Sequence, residues 1–362
     1  MSKPDYIKIC LNSMVANEEP TILRMLESCY KYIDYWVIQD NGSTDRTKEI
    51  IQEFFDSKKI PGFLYEIPWK YPGWNRDHTL QKALSADHSC DWILRMDADE
   101  ELKVEEFFEW DILKNTNIEA WNVPANSSGT MYYRTWLWNS KLPWYFKHSK
   151  RHETIHLPDR EDFQRAALPQ GFLHIIHNDG QTWANPKKFL QDALEIERDL
   201  LVNNSFNTDL YHLFYIGKSF FDAAATGVEW HLELGKSHFD LFCTRGIYYL
   251  EKFIELTEPI DTWQEMRYYS IYLIGKLYRA MKDFDNAVQK LFEASNYDTD
   301  RNDHFIQLIE IYKELEEPEK AYYIIQYLKD RKNPYPRKTF LIQNNHYIDT
   351  GSLISEYISE AK

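Results

Sequence analysis

The chain has 362 residues, 43% of them hydrophobic and 16% aromatic, enough to bury a sizeable core in each of two domains. Its formal net charge of -15 argues against a nucleic-acid backbone as partner, because neutralising phosphates needs a basic surface. No signal-peptide pattern opens the chain and no apolar run approaches about 18 residues, so a cytoplasmic protein without a membrane span is expected. Cys10, Cys29, Cys90 and Cys243 show no close pair or metal spacing, which predicts reduced, buried thiols.

An apolar run from Tyr6 to Leu11 predicts a first strand, followed by a polar turn from Asn12 to Asn17. Glu18-Glu19-Pro20 then opens a helical pattern through Tyr32. Tyr35 to Gln39 predicts a second buried strand ending in Asp40-Asn41-Gly42-Ser43-Thr44-Asp45-Arg46-Thr47. Such a turn can bring backbone amides and a carboxylate to one spot, with a helix from Asp45 to Phe55 leaving from it. A third strand, Gly62 to Ile67, precedes a helix from about Asn75 to Ala86. A fourth, Asp91 to Leu94, ends in Arg95-Met96-Asp97-Ala98-Asp99-Glu100. This alternation predicts an α/β domain with a mostly parallel sheet, whose ligands collect beyond the carboxyl ends of the strands. Asp97 and Asp99 therefore point at a site. They can jointly face a cation only if the chain leaves strand geometry between them, which the small Ala98 permits. Alone, Asp-x-Asp equally suits a solvated turn or a helix cap.

From Trp121 to His148 the chain is aromatic, and Tyr132 to Asn139 alternates with a period of two, predicting an antiparallel strand with two distinct faces. Most of these rings read as core; apolar ligand faces also pack on such rings, so part of the stretch suits a binding subsite, with no single ring assignable to it. After Gly180 long helical patterns take over: Pro186 to Asn203, Tyr211 to Ala225, Glu229 to Thr257, and Trp263 to Ala280. Phe284-Asp285-Asn286-Ala287 recurs as Pro318-Glu319-Lys320-Ala321, and Tyr278 as Tyr312, both offset by 34 residues, the tetratricopeptide period. Ile271, Ile274, Gly275, Tyr278, Ala287, Leu291 and Ala294 fill one unit's signature positions. In the next, Phe305, Leu308, Ile309, Tyr312, Ala321, Ile325 and Leu328 do so, with Ile309 replacing the small residue at the close helix contact. A capping helix is expected over Ser352 to Ala361, and the repeats must stack on neighbouring helices to bury their faces.

Four segments, Val15-Ala16-Asn17-Glu18-Glu19, Asp40 to Thr47, Arg76-Asp77-His78-Thr79-Leu80-Gln81-Lys82-Ala83 and Asp91 to Glu100, resemble in order and spacing the glycosyltransferases of family 2, which have the GT-A fold. The resemblance implies that the loop from Ser13 through Val15 and Asn17 to Glu18, with Asp40 and Gly42, grips the nucleotide. It implies that Arg76, Asp97 and Ala98 lie along the nucleotide sugar, and that Asp99 ligates Mn2+ or Mg2+ on the diphosphate. Two later segments, Lys150-Arg151-His152-Glu153 and Phe172 to Gly180, resemble a His-Glu pair and a strand ending in His in one branch of the family. By that likeness His177 reaches back to the metal or the diphosphate, and Glu153 faces the acceptor as general base of an inverting transfer.

The sequence thus reads as a GT-A-like, Rossmann-like transferase domain over 1–185, followed by an all-α domain over 186–362 with tetratricopeptide-like repeats clearest at 268–335. The expected activity is metal-dependent, inverting transfer of a sugar from a nucleotide-sugar donor, by resemblance a UDP-sugar, to a hydroxyl of a glycan, protein or small-molecule acceptor. The repeats offer a surface for a protein partner or self-association. Two rivals are an inactive transferase-like scaffold acting through its repeats, against which Asp40, Asp97 and Asp99 weigh, and a nucleotidyltransferase, disfavoured by the lack of a Gly-rich phosphate loop.

Overall fold

The computed structural model of the chain describes residues 3–115, 117–127, 130–147, 149, 151–160, 162–180, 185, 187–226, 236–258, 260–297, 302–330 and 343–344. It divides into two compact units, the first comprising Met1–Asn185 with Ile342–Asn344 and the second the rest.

The first unit is built on one sheet. Strands β1 (Ile9–Val15), β2 (Tyr35–Asp40), β3 (Gly62–Glu66) and β4 (Trp92–Arg95) run parallel in the order β3-β2-β1-β4. The apolar side chains of β1, β2 and β4 are largely buried on both faces, as a sheet covered by crossover helices requires, while those of the edge strand β3 are half-buried. Helices α1 (Ile22–Cys29), α2 (Thr47–Lys58) and α3 (Pro72–Ser85) make the crossovers. Strand β1 runs on to Val15 through the stretch whose polarity predicted a turn. Asn12 is accommodated inside the sheet because its amide donates to the carbonyls of Val37 and Thr79, at 3.3 and 3.1 Å. Helix α3 begins at Pro72, three residues ahead of the expected start, since proline fits the first helical position where no N–H is needed.

The remaining strands make the sheet mixed. After β4 the chain turns sharply and returns as β5 (Glu100–Val104), which sequence did not reveal. Strands β6 (Ala120–Ser127) and β7 (Thr130–Asn139) form the antiparallel pair that the alternating aromatic stretch predicted, with β7 also antiparallel to β4. Strand β11 (Phe172–Ile176) lies parallel to β6 and antiparallel to β5. Short strands β8 (Tyr145–Phe146) and β9 (Ile155–His156) pair apart from the sheet, while β10 (Arg165–Ala167) joins β6 and β12 (Gln343–Asn344) joins β7.

The second unit is helical: α4 (Lys188–Val202), α5 (Leu210–Thr226), α6 (Lys236–Thr257), α7 (Gln264–Ala280), α8 (Phe284–Ala294), α9 (Asp303–Glu314) and α10 (Pro318–Asp330). Close contacts require glycine. A Cβ on Gly217 would stand 2.6 Å from Leu250 Cγ, and one on Gly275 2.7 Å from Leu291 Cγ. Ala287 and Ala321 are wholly buried at equivalent places in α8 and α10. The expected start of a helix at Glu229 and the expected cap at Ser352 to Ala361 lie outside the described residues. No helix among the described residues is long and apolar enough to cross a membrane.

Candidate active site

The site is assembled at the carboxyl ends of β1, β2 and β4. Val15 stands opposite Asp40, and the two loops that leave these strands are tied together residue by residue. Asn17, left-handed at φ 55°, donates its N–H to Ser43 Oγ at 2.9 Å, while its Oδ1 accepts from Thr44 N at 2.8 Å. Glu18 N donates to Thr47 Oγ1 at 2.8 Å. Asp40 Oδ1 accepts from the amides of Gly42 and Ser43, at 2.9 and 2.8 Å, a turn that needs the positive φ of Gly42. A Cβ on Gly42 would meet nothing within 4 Å, so open space adjoins this turn. Asp40 Oδ2, in this turn, and Ser13 Oγ, inside β1 opposite Ile38, are buried and make no hydrogen bond among the described residues. A buried acceptor left unmatched is costly, so Asp40 Oδ2 is a candidate to accept from a ligand.

Beside this turn lies a buried charge cluster. Arg76, on the inner face of α3, places Nη2 2.6 Å from Asp97 Oδ1 and Nε 3.0 Å from Glu153 Oε1. Arg95, at the end of β4, reaches Asp97 Oδ2 at 3.4 Å and Glu153 Oε1 at 3.2 Å. Helix α3 holds Glu153 in reach because it is laced to the segment leading there. Asp77 accepts from Phe146 N at 2.9 Å, Gln81 donates to the carbonyl of Trp144 at 2.8 Å, and Gly73 N donates to that of Ser149 at 3.1 Å. A Cβ on Gly73 would stand 2.6 Å from that backbone. His152 is left-handed at φ 53° immediately before Glu153. Both hydrogen bonds that Glu153 accepts among the described residues go to Oε1, so its orientation is fixed from one side.

Asp97 and Asp99 differ sharply in electrostatics. Burial would raise the Asp97 carboxyl, but Arg76, then Arg95 and Arg134, outweigh it and hold the group well below the usual carboxylate range. Asp99 is raised to about 7, first by burial and then by Asp97, Glu100 and Glu18. It is paired with no cation among the described residues. Ala98 between them is buried, and the Glu100 amide bonds back to the Asp97 carbonyl at 3.1 Å, so the two carboxylates leave a turn. The donor set near Asp99 is carboxylate oxygen under mutual repulsion, which fits a hard divalent cation. No three His, Cys, Asp or Glu gather into a metal site among the described residues. His177 meets Asp99 through its backbone, its N–H donating to the Asp99 carbonyl at 3.0 Å. Its imidazole is turned instead to Glu101, with Nε2 3.2 Å from Oε2.

Val15, Asn17, Glu18, Asp40 and Gly42 thus meet at the ends of β1 and β2, with Ser13 two residues inside β1, while Arg76, Asp97 and Glu153 share one cluster. Sequence reading missed Arg95, which stands in the same acidic segment but was overlooked for its carboxylates. It also missed Arg134, whose guanidinium lies 4.2 Å from the centre of the Trp136 ring and pairs with Glu100 at 3.5 Å. Period-two alternation put Arg134 and Trp136 on one face of β7, and that was the available signal.

Residues 14–109 match the model of the family described as glycosyl transferase family 2, so the first unit carries a glycosyltransferase family 2 domain, a domain of enzymes. The chain is similar to Staphylococcus aureus TarS 1-349 solved in complex with UDP-GlcNAc, at 14% identity, 80% coverage of this chain, 91% of that chain and a TM-score of 0.40. It is similar also to glucosyl-3-phosphoglycerate synthase from Mycobacterium tuberculosis in complex with Mn2+ and UDP-glucose, at 20% identity, 34% coverage of this chain, 44% of that chain and a TM-score of 0.25. A comparison with curated protein sequences gives no match.

Proposed function

We propose that the protein is a metal-dependent, inverting glycosyltransferase that uses a nucleotide-sugar donor, with a UDP-sugar as the first choice. The observation that carries this reading is the turn at the ends of β1 and β2, where Asp40 Oδ2 is buried with no partner among the described residues and the Cβ side of Gly42 is open. A nucleoside's hydroxyls and base amide supply the matching groups. In this reading Asn17 and Glu18 shape the pocket through their bonds to Ser43 and Thr47, and Arg76 and Arg95 hold Asp97 ionised along the donor sugar.

Asp99, together with the donor's diphosphate, would hold Mn2+ or Mg2+, and His177 would join from the neighbouring tail. A cation bound there offsets the charge that develops on the leaving diphosphate. Glu153 is the proposed base. With Oε1 anchored by two arginines, Oε2 is the oxygen available to take the acceptor hydroxyl's proton as the anomeric carbon is attacked from the face opposite the diphosphate. The aromatic strand β7 supports an acceptor subsite, and the helical unit a role in acceptor binding or assembly. The test is a screen of nucleotide-sugar donors for hydrolysis and transfer with and without Mn2+. Release of UDP from a UDP-sugar only when metal is present is expected. Turnover of a nucleoside triphosphate with release of pyrophosphate, and of no nucleotide sugar, would contradict it.

A further inference from the structure

The chain beyond β11 carries His177 and Gly180 to the Asp99 side of the site, and an ion pair to α1 helps to hold it there. Arg24, on α1, donates from Nη1 to Asp179 Oδ2 at 2.9 Å and from Nη2 to Oδ1 at 2.7 Å, a two-pronged pair across 155 residues. Among the described residues the tail is also tethered by the His177 imidazole, whose Nε2 lies 3.2 Å from Glu101 Oε2. His177 N bonds the Asp99 carbonyl, and the Asn178 amide donates to Ser127 Oγ at 2.6 Å. Asn178 is left-handed at φ 56°, which turns the chain out of the strand direction. Gly180 then arrives so close that a Cβ there would lie 3.4 Å from Asp99 Cβ and from both carboxylate oxygens of Glu18.

Helix α1 governs both sides of this contact. At its start Thr21 Oγ1 donates to Glu18 Oε2 at 2.8 Å, and one turn on Arg24 grips Asp179. The same guanidinium, held charged first by Asp179 against the opposing effect of burial, also lies in the field of Asp99 and Glu101. We propose that Arg24 and Asp179 are positioning residues: their pair clasps the 177–180 tail across Asp99 and Glu18, so that metal and donor meet a preset site. This rests on the nucleotide-sugar transferase reading.

A half-exposed pair of this kind adds little to global stability, so its loss acts on local geometry rather than on folding. Two measurements on the full chain separate the clasp from the donor reading. Hydrogen exchange of the segment 172–180, without ligand, should quicken about tenfold in Arg24→Met and in Asp179→Asn, with no further change in the double variant, because one shared interaction is lost. Calorimetry of UDP with Mn2+ should show about tenfold weaker binding in each, the usual scale for a partner one step removed from a metal ligand. The melting temperature without metal should stay at the wild-type value, and the exchanged pair Arg24→Asp with Asp179→Arg should recover both readouts. Unchanged exchange, or losses that add in the double variant, would overturn the clasp. A wild-type chain that binds no UDP in the presence of Mn2+ would overturn the donor reading instead, and the exchange rates would still decide the clasp.

Discussion

Two acidic clusters of the first unit use the same residue types a few positions apart and are built in opposite ways. Around Asp97 and Glu153, carboxylates and guanidiniums alternate, and each negative group meets both Arg76 and Arg95. Asp99 feels the negative charges of Asp97, Glu100 and Glu18 and itself has no paired cation among the described residues. A buried charge that is compensated fixes geometry, whereas one that is not compensated is a standing demand for a ligand of opposite sign. The first cluster is therefore read as orientation of Glu153 and the second as the cation side of the site.

The largest expected effects break each cluster at its functional member. Glu153→Gln keeps size and hydrogen bonding but cannot accept a proton, so turnover should fall about 10²- to 10⁴-fold with UDP affinity unchanged. If the loss appears as weaker UDP binding, the residue serves the donor side or the fold, and Asp159, Glu161 or Asp162 becomes the next candidate. Asp99→Asn should lower metal-dependent turnover about 10²- to 10³-fold, the scale of a few kcal/mol of lost charge stabilisation.

Next in size, Arg95→Met leaves Asp97 and Glu153 to Arg76 alone. Breaking a buried charge set costs roughly 3 kcal/mol, or about 6 to 12 °C in melting temperature for a unit of this size. A calorimetric melt within a degree of wild type would show that Arg95 is not structurally coupled to the cluster.

The two clusters also predict opposite pH signatures. Asp97 is ionised more readily in the folded state, so its contribution is whole above the ordinary carboxylate range and is lost as pH falls below it. Asp99, raised to about 7, binds its proton more tightly when folded, so without metal its contribution is present at low pH and is lost as pH climbs through about 7. Comparing melts of wild type and Asp99→Asn between pH 5 and 8 isolates that slope, and identical slopes would remove the assignment. The smallest effect on the site is expected from Ala287→Trp with Ala321→Trp. Overpacking these helix contacts should cost about 1–3 kcal/mol each in the helical unit, while UDP binding stays intact.

The parallel half of the sheet was legible because covered strands read as apolar runs and their loops as turn residues. Asp40 to Thr47 announced itself by turn chemistry alone. What stayed hidden depended on contacts distant in sequence. Asn12 and Ser13 read as a turn since nothing local shows that Thr79 and Val37 satisfy Asn12 inside the sheet. Strand β5 was masked by its charged residues, and its partner β11 lies about seventy residues away, a pairing that no local pattern encodes. Arg95 and the Arg24–Asp179 pair were invisible for the same reason, since a guanidinium's role is set by the carboxylates the fold brings to it. In the helical unit the close helix contacts were legible from spacing, because Gly275 and the buried Ala287 and Ala321 fall where the sequence placed small residues.

The central claim is that Asp99 supplies the carboxylate through which a divalent cation and the donor diphosphate are held, while Asp97 is already satisfied by arginine. Isothermal titration of UDP into wild type and into Asp99→Asn, each with and without Mn2+, tests it most directly. The account predicts that Mn2+ strengthens UDP binding to the wild type and leaves binding to the variant at its metal-free level, with both proteins equally folded. Equal strengthening by Mn2+ in the two proteins would contradict it.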